Sequence, residues 1–294
     1  MRGARLVRMG LVALIMPLSL GFDEIDCSAA KAFLAEDSNS TFYNPIIPGF
    51  HPDPSCIFVS EHNATFFCAS SSFNAFPGIP LHASKDLHNW KLIDFLKLAR
   101  VKELTEFSGI WAPTLRYHEE AFWIVTTLVD DEKDAADASR WDNIIFKAKD
   151  PYDLRSWSDA IHFEFEGYDT EPFWDDDGKT YLNGAHAWKV GPWLQQTEAN
   201  LDTGEVGEWK TIWNGTGGMA PEGPHIYRKD GWYYLLAAEG GTGLGHMVTM
   251  ARSNNIDGPY ESNPANPILT NSNTTDYFQT VGHADLFQDH SGNW

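Results

Sequence analysis

Three carboxylates, Asp53, Asp169 and Glu222, lie far apart in sequence but in similar surroundings. Each opens an apolar run after a polar or proline-rich approach, in "HPDPSCIFV", "GYDTEPFW" and "APEGPHIY". Brought to one place, like charges repel and push at least one carboxyl pKa upward. Carboxyls split in this way keep a proton donor and an ionised base side by side at one pH. Cleavage of a glycosidic bond needs that pairing: the acid protonates the leaving oxygen, and the base activates water or attacks carbon. Two plainer roles, strand capping and cation binding, are open to the same residues.

What must bring them together is a repeat. Units start at Asp53, Ala112, Asp169, Glu222 and Ala284, each reading as a small or acidic residue, an apolar strand, a polar turn and an aromatic strand. The spacing is roughly 57 residues, room for four strands and long loops, where propeller blades commonly take 40–50. Long helical periodicity is nearly absent; short β-branched and aromatic runs such as "TFFCA", "AFWIVTT" and "WYYLLAA" are split by Gly, Asn, Asp and Pro. The turns "DDDGK", "RKDGW" and "DHSGNW" are alike, with Asp and Gly where a hairpin needs positive φ. The expectation is an all-β, five-bladed β-propeller with its fifth blade incomplete, since the chain reaches Trp294 after one strand and a turn of that unit. First strands line a propeller's axis, so equivalent starts converge at one end of it. Ala112 holds that place in the second unit, so the acids are not a generic rim. Pro52 and Pro54 bracket Asp53 and stiffen its approach.

Composition narrows the partners. The chain has 294 residues, 43% hydrophobic and 14% aromatic, with a formal net charge of −20. That is a globular composition, and its charge excludes a polyanion such as nucleic acid. Arg2, Arg5 and Arg8 followed by apolar Leu11–Leu20 read as a signal peptide over residues 1–25, too short to span a bilayer. No other run is apolar enough for a membrane. An N-terminal extension over 26–43 and a catalytic domain over 44–294 complete the division. Sequons at Asn39, Asn63, Asn214 and Asn273 agree with a secreted, extracellular glycoprotein. Cys56 and Cys68 flank two short strands and a turn, where they either pair or stay as buried thiols; Cys27 lies beside the signal segment.

The motifs "NPIIPGFHPDPS", "GIWAPTLRYH", "GYDTEPFWDDDGKTYL", "PEGPHIYRKDGWYYLLAAEGGTG" and "VGHADL" resemble glycoside hydrolase family 43, nearest its β-xylosidase and α-L-arabinofuranosidase members, from Asn44 to Trp294. The resemblance implies an inverting exo-hydrolase that releases xylose, arabinofuranose or both from hemicellulose oligosaccharides. It implies Asp53 as general base, Glu222 as general acid, and Asp169 as the carboxylate that orients the acid and holds its pKa up. Phe73 and Trp111 match aromatics that pack on the sugar, and Thr242 in "EGGTG" joins them as a substrate contact. His283 matches a histidine beside a calcium bound through water in the central channel; no cofactor is required for the reaction. The family's substrate-binding arginine and frequent C-terminal β-sandwich fall beyond Trp294, which implies a weakly active 294-residue form. Alternatives are an endo-arabinanase of the same fold and a non-catalytic sugar-binding propeller. The related β-fructosidases are excluded, because their Arg-Asp-Pro and Glu-Cys motifs are replaced here by "DTEP" and "EGPH".

Overall fold

A computed structural model describes residues 43–75, 78–97 and 108–294. The signal segment, residues 26–42 of the extension, Cys27 and the Asn39 sequon lie outside the described residues. Within them the chain forms four antiparallel sheets, each a meander in sequence order. The first holds β1 (Ser55–Val59), β2 (Thr65–Ala69), β3 (Gly78–Ser84) and β4 (Lys91–Lys97). The second holds β5 (Ser108–His118), β6 (Ala121–Asp130), β7 (Trp141–Ala148) and β8 (Ile161–Phe163). The third holds β9 (Gly167–Trp174), β10 (Thr180–His186), β11 (Leu194–Asn200) and β12 (Glu205–Val206), with β13 (Lys210–Trp213) also paired to β11. The fourth holds β14 (Glu222–Lys229), β15 (Trp232–Glu239), β16 (Met247–Ser253) and β17 (Glu261–Ser262). The inner strands touch in order, β1 against β5, β5 against β9 and β9 against β14. That succession makes the sheets four blades of a β-propeller.

The blades pack as the apolar runs predict. Phe67, Ile79, Leu81, Leu115, Phe122, Ile124, Ile144 and Phe146 form a buried core between the first two blades. Tyr168, Leu194, Ile226, Leu235 and Ala237 belong to another, shared by the third and fourth. Cys56 and Cys68 face each other across β1 and β2 and form a disulfide, which settles the alternatives open at the sequence level. No helix among the described residues is long and apolar enough to cross a membrane.

One backbone feature recurs near the start of each inner strand. Asp53, Ala112, Asp169 and Gly223 have φ of 52°, 36°, 53° and 56°, and His283 follows at 49°. Non-glycine residues seldom take this left-handed conformation. In β5 and β14 the register shifts at the same place, as at a β-bulge. Pro54, Pro113 and Pro224 follow three of these residues, where an N–H would find no ladder partner. Two sequence-level equivalences are thereby corrected. The fourth unit's matching residue is Gly223, one past Glu222, and the fifth unit's is His283, not Ala284.

The turns also divide. Asp175 to Lys179 and Asp289 to Asn293 close alike, by Asp175 N–H to Lys179 O (3.0 Å) and Asp289 N–H to Asn293 O (2.9 Å). Asp230-Gly231 instead has positive φ at both residues, the type I′ two-residue turn. Residues 282–294 therefore repeat the start and the turn of a blade, although no strand is assigned to them.

Five side chains, one from each unit, meet on the axis. Arg116 pairs with Glu171 (2.8 Å) and Asp285 (2.6 Å). Ser55 Oγ donates to Asp285 (2.6 Å), and His225 Nδ1 lies 3.1 Å from Arg116 Nη2. Tyr227 Oη donates to the other Asp285 oxygen (2.5 Å). Burial alone would raise the Asp285 pKa; Arg116 and then His225 outweigh it and hold the carboxyl at about 2.

Candidate active site

The carboxylates converge as the repeat predicts. Asp53 sits in the turn before β1, Asp169 near the start of β9 and Glu222 at the start of β14. The Asp53 side chain is 19% exposed, and its Oδ2 accepts a 2.6 Å hydrogen bond from Ser71 Oγ. Ser71 Oγ in turn accepts from Ala112 N–H (2.6 Å), and Ser71 N–H donates to Pro52 O (3.0 Å). One serine thus fixes the first carboxylate against both its own blade and the next.

Asp169 is 5% exposed and accepts a hydrogen bond from Gly223 N–H (3.0 Å), the residue beside Glu222. Burial and then the nearby Asp53 charge push its carboxyl well above the usual range, against the Gly223 hydrogen bond. Glu222 is raised to about 7, first by burial, then by Asp169, with a smaller push from Asp53. His283 and the 3.3 Å hydrogen bond from Tyr168 Oη pull the other way. Buried Asp169 and partly buried Glu222 therefore keep hold of a proton near neutrality, beside the partly exposed Asp53. A donor and an acceptor of protons stand together, the equipment for general acid–base chemistry.

His283 lies between the two halves. Its Nδ1 is 3.6 Å from Asp53 Oδ1, and its ring covers Gly223, where a Cβ would come 2.9 Å from Nε2. Only glycine fits at 223, since φ is positive there as well. Calcium takes six to eight oxygen ligands. Among the described residues no group of three or more His, Cys, Asp or Glu side chains could hold a metal. The calcium expected beside His283 is held through water rather than by direct ligands, and no chemical step here passes through it.

Aromatic rings wall the site. Phe73, at φ 45°, packs edge-on against Trp111 (5.8 Å), and its backbone bridges to Ile110. Trp111 meets Trp141, Tyr168 and Trp188 at 6.1, 5.9 and 6.4 Å. Its Nε1–H is buried without a hydrogen-bond partner among the described residues. Tyr168 links this wall to Glu222. Thr242 is exposed in the loop over 240–245, and no hydrogen bond is seen from it to the carboxylates among the described residues. His51 packs edge-on against His82 (4.8 Å). Sequence reasoning missed Ser71, Tyr168, Trp141 and Trp188. For Ser71 the only signal is "SSSF", which looks like any polar turn.

The family model for "Glycosyl hydrolases family 43" matches residues 42–294. The chain is 40% identical over 257 residues to "Xylosidase/arabinosidase 43B" of Humicola insolens, covering 83% of this chain and 46% of that protein. It is 36% identical to "Beta-xylosidase" of Bacillus subtilis (strain 168), covering 85% and 48%. Among solved structures, xylan beta-1,4-xylosidase from Bacillus halodurans C-125 superposes with a TM-score of 0.76 at 35% identity, covering 86% of this chain and 49% of that one. The chain thus spans about half the length of the relatives it matches. With the family model covering all of the described residues and these relatives 35–40% identical, the chain belongs to glycosyl hydrolase family 43.

Proposed function

We propose that this chain is the catalytic propeller of an inverting exo-glycosidase that releases xylose, arabinofuranose or both from hemicellulose-derived oligosaccharides. The observation that carries the reading is the convergence of the carboxyls: Asp53 is held by Ser71, Asp169 accepts from the Gly223 N–H beside Glu222, and Glu222 holds a proton up to about pH 7. Glu222 donates its proton to the leaving oxygen. Asp53, steered by Ser71, takes a proton from the attacking water. Asp169 orients the acid through Gly223 and keeps its pKa high. Phe73 and Trp111 hold the sugar ring, with Thr242 as a further substrate contact at the rim. The relatives named for xylosidase and arabinosidase activity support the substrate class.

The five-bladed reading is part of this proposal. His283, Asp285 and the Asp289 turn repeat the corresponding features of the other units, and Asp285 completes the axial cluster. Secretion is supported by the Cys56–Cys68 disulfide, which persists in oxidising compartments.

The test is a rate comparison in the full-length protein on aryl β-xyloside and aryl α-L-arabinofuranoside, with the first-formed anomer followed by NMR. The expected result is release of single sugars from at least one of them, with the anomer inverted. No release from either, or retention, contradicts the reading.

A further inference from the structure

Glu239 closes β15 and has no exposed surface. Its carboxylate accepts hydrogen bonds from Thr216 N–H (3.0 and 3.1 Å to its two oxygens), Thr216 Oγ1 (3.0 Å) and Thr249 Oγ1 (2.8 Å). No Lys, Arg or His pairs with it among the described residues. Burying a charge is costly unless it is fully hydrogen-bonded, and removal of donors leaves it stranded. For stability alone, a neutral side chain that keeps these hydrogen bonds serves without the cost of a buried charge.

The donors belong mainly to the loop over 214–219, which leads directly into Glu222. That loop wraps the carboxylate closely. A Cβ at Gly215 would lie 2.9 Å from Glu239 Oε2, and one at Gly218 3.0 Å from the same atom. Gly240 N–H then donates to Met219 O (2.9 Å), pinning the end of the loop. In the ladder, Glu222 faces Ala238, the neighbour of Glu239. The same residue therefore fixes the loop before the acid and adjoins the acid's own strand partner.

We propose that Glu239 is a positioning residue for Glu222: its carboxylate is the template on which the loop over 214–219 folds, and that loop sets the orientation of the acid. The inference rests on the reading of Glu222 as general acid. Proton donation matters most when the leaving group is poor, so misplacement of the acid penalises substrates selectively. A misplacement near 1 Å costs up to about 10²-fold.

The test uses Glu239→Gln, which keeps shape and removes charge, and Thr216→Val, which removes one donor from the loop. In the full-length protein, kcat and KM are measured on two aryl β-xylosides, one with an activated and one with a poor leaving group. Glu222 is titrated in parallel by ¹³C NMR of labelled carboxyls. The expected result for Glu239→Gln is a loss of about 10-fold or more in kcat on the poor leaving group. The loss on the activated one is much smaller, KM is nearly unchanged, and Glu222 titrates lower than in wild type as its surroundings loosen. Thr216→Val gives the same pattern more weakly, and decides the matter if Glu239→Gln does not fold. Parallel losses on both substrates with an unchanged Glu222 titration overturn the inference and leave Glu239 a structural carboxylate. A wild type that cleaves neither substrate refutes the glycosidase reading on its own. The titration then still decides: a lowered Glu222 pKa in the variants supports the inference, and an unchanged one overturns it.

Discussion

Glu222→Gln slows cleavage of xylobiose by about 10³-fold yet leaves an aryl xyloside with an activated leaving group nearly as reactive as before, while Asp53→Asn slows both by about 10³-fold. The asymmetry follows from the two environments. Glu222 is partly buried beside Asp169 and Tyr168, and holds its proton up to about pH 7. That proton is needed only when the departing oxygen is too basic to leave unaided. Asp53 is partly open and is held by Ser71; in the proposed mechanism it serves the incoming water, which every substrate requires. Gln keeps the size and hydrogen-bonding of Glu222, so the fold is preserved. Equal losses on both substrates in Glu222→Gln would show that Glu222 does not act as the acid.

The second large effect is on stability. Arg116→Met destabilises the protein by about 3–5 kcal/mol in urea titrations, because it strands Glu171 and Asp285 as buried charges. Tyr227→Phe removes one hydrogen bond to the same Asp285 and costs about 1 kcal/mol. The sign with pH follows from the depressed Asp285 carboxyl. Its contribution is present above the ordinary Asp value and is lost as pH falls toward about 2. At neutral pH the full penalty of Arg116→Met is therefore visible. A loss below about 1 kcal/mol would mean that the axial cluster does not hold the units together.

Asp53 and Asp169 were legible because the repeat places them alike, and the structure gives them matching positive φ. Glu222 was legible as an acid but not in its register. Glycine takes the left-handed place beside it, and a one-residue offset is invisible when the motif contains both residues. The hairpin at Glu119 and Glu120, with φ of 48° and 59°, carries none of the Gly or Asn that marks such turns. The axial cluster was hidden for a different reason. Arg116, Glu171, His225 and Asp285 each read locally as an ordinary polar residue in a strand or turn. Only closure of the sheets around an axis makes them neighbours. Ser71 was lost in a run of three serines, although the middle one alone bridges Asp53 and Ala112. The pairing of Cys56 with Cys68 depended on hairpin register, which twelve residues of sequence separation do not fix.

The central claim is that a protonated Glu222 performs the acid step, and the pH dependence of kcat/KM tests it most directly. For a substrate with a poor leaving group, activity requires the protonated form, so the rate falls as pH rises through the Glu222 value. The account predicts an alkaline limb with an apparent pKa near 7 that disappears in Glu222→Gln. An alkaline limb that persists unchanged in that variant would contradict it.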